Sequence, residues 1–169
     1  RRQALEAEIL RLVPRWSMAP VADAYQALRG ISTISAVTLA AELGDLGRFE
    51  SPRQLMGYLG LTASEASSAR RRRRGGITKA GNAHARRLLV EGAWSYRLPA
   101  RLAPAKLDRT QHLPKPIRDL AWKAQARLCA RYRHLRARGL KPNIAVVAIA
   151  REMAAFLWAI GRITPPTPT

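Results

Sequence analysis

The sequence predicts an all-α fold: a compact multi-helix domain with a helix-hairpin-helix-like element and one long basic helix. Three observations predict it. No segment alternates apolar and polar residues with period two for long enough to make a strand. Apolar residues recur instead three and four positions apart along most of the chain. Helix start and stop signals punctuate these runs at regular intervals, and together they mark six or seven helices. At 169 residues and 47% hydrophobic content, the chain is long enough and apolar enough to bury a core of its own.

The first helix carries Leu5, Ile9, Leu12, Val13 and Trp16 at helical spacing and is bent or ended by Pro14. Because the chain opens inside an amphipathic pattern, residues 1–20 are expected to be the end of a connecting helix from a larger protein. A helical stretch from Val21 to Leu28 stops at Gly30, a tight turn follows, and Ile34, Val37 and Ala41 begin the next helix. Such a turn between two helices can offer backbone N–H groups to a phosphate. The usual second glycine of that motif is Ser32 here, and phosphate contact and plain helix packing fit the turn equally. Ser51 followed by Pro52 is a strong helix start, and Gly60 is the expected end.

The stretch SEASSARRRRRGGITKAGN, residues 64–82, separates that helix from one capped by Asn82, with Ala85, Leu88, Leu89, Gly92 and Ala93 along one face. Residues 21–98 are expected to form one core. Pro99, Pro104, Pro114 and Pro116 mark residues 99–116 as a linker or long loop. A long helix from Ile117 to about Arg138 follows, with Leu120, Ala124, Leu128 and Leu135 as its apolar stripe. Gly139 and Pro142 divide it from a final helix, Ile144 to Ile160, so residues 117–162 form a helical pair and residues 163–169 a frayed tail.

Charge narrows the possible partners. The chain carries +19, from 30 Lys and Arg against 11 Asp and Glu, and so large an excess calls for a polyanion. Nucleic acid is the first candidate and an anionic membrane the second. The one long apolar helix has Arg151 and Glu152 near its middle, which is costly in a bilayer, so no membrane partner is expected. RRQALEAEIL has no apolar signal region, and a cytoplasmic location is expected. Between Arg70 and Arg97 nine basic residues face one acid, Glu91, and between Arg109 and Lys141 ten face one, Asp119. With so few acids interspersed, these faces suit a phosphate backbone better than bulk water. Trp94, Tyr96, Trp122 and Tyr132 are each expected to pack in the core rather than to stack on bases.

The single cysteine, Cys129, excludes an internal disulfide and a thiolate metal cluster. His84, His112 and His134 share no ligand spacing, and Glu42 and Asp45 sit at a helix end where capping explains them. GGITKAG lacks the order and the preceding strand of a nucleotide-binding loop. No metal or cofactor is therefore expected in this chain. Serine chemistry remains. Ser67 and Ser68 precede five guanidinium groups able to hold a scissile phosphate and its developing charge. A serine nucleophile would keep the phosphodiester energy as a phosphoserine link, allowing strand exchange without hydrolysis. Taken alone, serines before an arginine run more often mark a flexible basic loop.

With these residues assembled, the chain resembles the C-terminal transposase domain of a bacterial insertion-sequence family, the "IS-one-ten" type, whose members are guided by a bridge RNA. The matching blocks run in order: LRGISTISAVTLAAELGDLGRFESPRQLMGYLGL, SEASSARRRRRGGITKAGNAHARRLLVEGAWSYR, IRDLAWKAQARLCARYRHL and AIAREMAAFLWAI. They span nearly the whole chain, and the second is the most specific. The resemblance implies that Ser68 is the nucleophile, with Ser67 the runner-up. It also implies that magnesium is held by acidic residues of a separate RuvC-like front domain absent from this chain. Arg70, Arg71, Arg72, Arg73, Arg74, Lys79, Arg86 and Arg87, with Gly30 and Ser32, are the residues expected to bind DNA and guide RNA, in a homo-oligomer assembled on nucleic acid. Two positions depart from the family pattern: Ala69 stands for its glycine and Ala63 for its proline. If the glycine serves a positive φ or close approach to DNA, Ala69 impairs the site. A non-catalytic binding module and a helical oligomerisation module built on the long helix remain the alternative readings.

Overall fold

A computed structural model describes residues 1–68 and 71–168 and, for residues 66–68 and 71–74, the backbone alone. Eight α-helices and one two-stranded antiparallel sheet make up the described residues. The mostly α class holds. The additional element is a β-hairpin, β1 Ala63–Ser68 and β2 Arg71–Ile77, where a helix-to-helix loop was expected.

α1, Arg2–Leu12, buries none of its residues. Its expected apolar stripe faces outward, with Leu5 60% and Leu12 49% exposed, and Pro14 turns the chain through a short 3-10 segment, Val13–Arg15. α2, Ala19–Tyr25, and α3, Thr33–Leu43, pack together on either side of a turn that ends at Gly30. α3 inserts Ala36, Leu39, Ala40 and Leu43 into the core, with Val37 partly buried against it. Packing against α2 and α5 sets this face. α4, Pro52–Tyr58, begins as expected: the Ser51 hydroxyl accepts from the Gln54 N–H, and Pro52 occupies the first turn. α5, Ala83–Ala93, is capped by the Asn82 side chain, which accepts from the Ala85 N–H.

Residues 99–116, expected as a linker, contain α6, Pro104–Thr110. Pro104 lies at its N-terminus, where a missing N–H costs nothing. The Lys106 ammonium donates to the Leu28 carbonyl at 2.8 Å and the Ile31 carbonyl at 3.1 Å, fastening this segment to the end of the α2–α3 turn. α7, Lys115–Ala137, and α8, Pro142–Ile163, form the long C-terminal pair. The tail is tied down as well, since the Thr167 N–H donates to the Ser17 carbonyl at 2.8 Å.

One apolar core holds everything from Met18 to Ile160. α8 runs through it and contacts α2, α4, α5 and α7. Glu152, midway along α8, lies 2.9 Å from Arg127 and 3.0 Å from Arg131 of α7. One of the two central charges of this apolar helix is thereby paired within the protein. Trp158 adds a further tie, its indole N–H donating to the Phe49 carbonyl at 2.9 Å.

A close backbone crossing joins the α2–α3 turn to α5. Gly30 has φ +84, and a Cβ there would collide with the carbonyl oxygen of Gly92. Gly30→Ala therefore combines a left-handed backbone with a clash against rigid main chain, and a loss of about 3 kcal/mol is expected. Gly139→Ala has a similar φ, +87, but open space around it, and costs about 1–2 kcal/mol. Chemical denaturation of both variants checks the difference; equal losses would remove the crossing as the cause.

Candidate nucleic-acid interface

The arginine run belongs to β2. In register, Glu65 faces Arg74, Ala66 faces Arg73, Ser67 faces Arg72 and Ser68 faces Arg71, with an irregularity between Ala63 and Glu65. Ser68 is thus the last described residue of β1. Ala69 and Arg70 fall outside the described residues, as do the side chains of Ser67, Ser68 and Arg71 to Arg74. ASEASS and RRRRGGI offer no alternating apolar face; Ile77, the only large apolar residue in either strand, packs partly buried against the core. Backbone pairing, this contact and the straps at its base hold the hairpin.

Those straps are numerous. The Thr78 N–H donates to the Thr62 carbonyl at 2.9 Å, the Lys79 N–H to Gly60 at 3.0 Å and the Asn82 N–H to Tyr58 at 3.1 Å. The chain leaving β2 is therefore laced to the end of α4. The lacing needs unusual backbone: Lys79 has φ +57 and Gly81 φ +74, and a Cβ on Gly81 would strike the Tyr58 carbonyl oxygen. The Arg86 guanidinium completes the lacing by donating to the Leu59 carbonyl at 2.9 Å and the Ala80 carbonyl at 3.1 Å.

Beneath the straps, three helix ends meet around Glu42. Its carboxylate accepts from Asn82 Nδ2 at 2.8 Å and lies 2.8 Å from His84 Nδ1. The hydrogen bonds from Asn82 and His84 hold this carboxyl below its ordinary value of 4.5. Nearby, the Arg48 guanidinium lies 4.4 Å from the Phe49 ring centre and 4.8 Å from that of Tyr58, and donates to the Leu43 carbonyl at 3.0 Å. Hydrogen bonding to Arg48 and then Asn82 lowers the Tyr58 hydroxyl below the usual tyrosine range. Nothing local in the sequence joins Glu42 to residues forty positions away. A helix-end acid that was assigned to capping instead anchors the hairpin's exit, while its neighbour Asp45 does cap, accepting from the Gly47 N–H at 2.8 Å.

The expected binding residues are separated by the fold. Arg71 to Arg74 and Lys79 belong to the hairpin and its exit. Arg86 serves as the strap just described. Arg87 is exposed and lies 3.5 Å from Glu91. Gly30 is a packing glycine against α5, and Ser32 caps α3, its hydroxyl accepting from the Ser35 N–H at 3.2 Å. The basic stripe of α7 is partly engaged within the protein, with Arg127 and Arg131 on Glu152, Lys115 on Asp119 at 2.6 Å and Arg118 on the Leu113 carbonyl. Tyr96 and Tyr132 are buried as expected, but Trp122 is 46% exposed on α7.

Because the folded state lowers the pKa of Glu42, the stability it contributes is present above pH 4.5 and lost as pH falls through the folded value. In acid titrations followed by amide exchange at Lys79 and Asn82, the wild-type chain should lose protection below about pH 4.5. Glu42→Gln should lack this acid step. An identical acid profile in both proteins would count against the anchor.

Residues 22–105 match the model of the Transposase IS116/IS110/IS902 family, a span that contains the α2–α3 turn, the hairpin, its straps and α5. The chain is 54% identical over 160 residues to a Sinorhizobium fredii protein named as a transposase, y4qE; the match covers 95% of this chain and 41% of that protein. It is 30% identical over 135 residues to the transposase for insertion sequence element IS1111A of Coxiella burnetii, covering 80% of this chain and 31% of the relative. The chain thus spans well under half the length of these relatives. Residues 22–105, which hold the strapped hairpin and the helices that carry it, are thus a transposase domain of the IS116/IS110/IS902 family.

Proposed function

We propose that this chain is the strand-joining part of a DNA transposase, with Ser68 as its nucleophile and the arginines of β2 as its phosphate clamp. The observation that carries the reading is the backbone register, which pairs Ser68 with Arg71 at the turn end of a basic hairpin inside the family's domain. A serine hydroxyl is a poor nucleophile by itself, and a neighbouring guanidinium favours its alkoxide and the charge developing on an attacked phosphate. In the proposed step the Ser68 oxygen bonds to phosphorus and one backbone P–O bond breaks. The proton lost by the serine is balanced by one gained by the departing deoxyribose hydroxyl. A hydroxyl from a second DNA end then attacks the phosphoserine, restores the serine and joins the new strand, with no water consumed.

Among the described residues, no group of three or more His, Cys, Asp and Glu is placed to hold a metal ion. These residues do not fit a magnesium site, and no step here is routed through one; magnesium belongs in this proposal to parts of the protein outside this chain. The +19 charge supports DNA together with a guide RNA as partners, with sequence choice delegated to base pairing, and a homo-oligomer formed on nucleic acid. The second reading, a binding module without chemistry, draws on Ala69, where the family pattern has glycine.

The test uses the full-length protein with guide RNA and nicked target DNA, followed by denaturing electrophoresis. Wild type should yield a covalent protein–DNA adduct, Ser67→Ala should retain it and Ser68→Ala should abolish it. Ala69→Gly should raise its yield severalfold if the alanine hinders the approach of DNA. An adduct that survives Ser68→Ala would sink the assignment.

A further inference from the structure

Away from the hairpin, an open groove of about 710 Å³ runs between the α2–α3 turn and residues 98–109. Four cations line it: Arg29 from the turn, Arg101 from the segment before α6, and Lys106 and Arg109 from α6. No aspartate or glutamate lines it. Among the described residues none of these four has a carboxylate partner, unlike Arg2, Arg11, Arg87, Lys115, Arg127 and Arg131. Cations such as Lys123, Arg133 and Arg162 have none either, and what sets the four apart is that they line one groove.

They are held by neutral acceptors instead. Arg29 donates to the Pro99 carbonyl at 2.8 Å, Arg109 to the Ala105 carbonyl at 3.2 Å and Lys106 to the carbonyls of Leu28 and Ile31. The Arg101 backbone N–H is fixed by the side chain of the buried Gln125 at 2.7 Å. A carbonyl orients a cation without cancelling its charge. Burial, and then Arg109, pulls Lys106 down to about 8, so a nearby anion would relieve a charge that folding has made costly.

We infer that this groove is a second nucleic-acid site, a track for the phosphodiester backbone of duplex DNA. The inference deepens the proposed function and rests on its nucleic-acid substrate. The occupant follows from the lining. Four unneutralised cations converge on one groove, whereas the apolar residues between them, among them Ile31, Leu98 and Pro99, include no aromatic ring. Unpaired bases need a stacking platform, and the groove offers none. A strand whose bases are already stacked in a duplex needs only its phosphates held. The contact is therefore independent of sequence, and it orients the duplex relative to the hairpin.

The test is equilibrium binding of the full-length protein to duplex DNA of arbitrary sequence across a range of salt concentrations. Arg101→Gln and Arg109→Gln are combined, because these two side chains contribute least to holding the fold. The slope of log affinity against log salt should become shallower by about 1.8, two phosphate contacts at about 0.9 each, by the same amount on unrelated sequences. Arg101→Lys with Arg109→Lys should restore the slope, which a merely misfolded variant would not. Arg2→Gln with Arg11→Gln, an equal charge change on α1, should leave it unaltered. An unchanged slope in the glutamine variant, or an equal fall in the α1 control, overturns the groove. A change seen only with single-stranded DNA or RNA overturns the duplex assignment. Since binding rather than the covalent adduct is read, failure here leaves the Ser68 test standing, and loss of the adduct assignment leaves this result standing.

Discussion

α8 sets the rest of the molecule in place because α2, α4, α5 and α7 each close their apolar faces on it. Ala145, Val146, Ile149, Ala150, Met153, Ala154, Leu157 and Ile160 are all fully buried, and each larger side chain among them contributes about 1.5–3 kcal/mol by leaving water. Small residues at Ala145, Ala150, Ala154 and Gly161 let neighbours approach closely; at Gly161 the next surface is the Leu46 side chain. With that helix fixed, α5 is fixed, and α5 presents both the Gly92 backbone that seats the α2–α3 turn and the Asn82 cap that anchors the hairpin. The two regions proposed to meet DNA are thus held by opposite ends of one helix.

A chain of +19 must fold against its own repulsion, and the placement of its few acids explains how. Glu42 joins α3 to the start of α5, Asp23 meets His112 at 2.6 Å, and Glu152 joins α8 to α7. Three of the eleven acids therefore tie separate segments of the fold together. The hairpin has Glu65 as its sole acid, and the groove beside α6 has none in its lining. The hairpin and the groove are thus two places where several cations lie together with few or no acids beside them.

Local signals made part of this legible. Ser51–Pro52, Asn82 and Gly60 mark boundaries through their own backbone chemistry, and α7 and α8 lie within a few residues of where the apolar spacing set them. The hairpin was not legible, since strands are recognised by alternation and neither ASEASS nor RRRRGGI alternates. α6 was hidden by the prolines around it, although Pro104 sits at a permitted first-turn position. α3 has apolar residues on two sides, and its neighbours rather than its own pattern set Leu39 and Leu43 deeper than Val37. The proposal for Ser68 rests on family likeness and not on spacing.

What the sequence determined by itself was the mostly helical class, the caps, the large positive charge and the family likeness, because each is carried by neighbouring residues or by bulk composition. The tertiary structure alone decided the anchor of Glu42 on Asn82 and His84, the lacing of β2 to α4, the Gly30–Gly92 crossing and the convergence of Arg29, Arg101, Lys106 and Arg109. These contacts join positions from tens of residues to more than seventy apart. Which of many cations end up together, and which are left without a carboxylate, depends on how helices close around α8, and no local pattern encodes that.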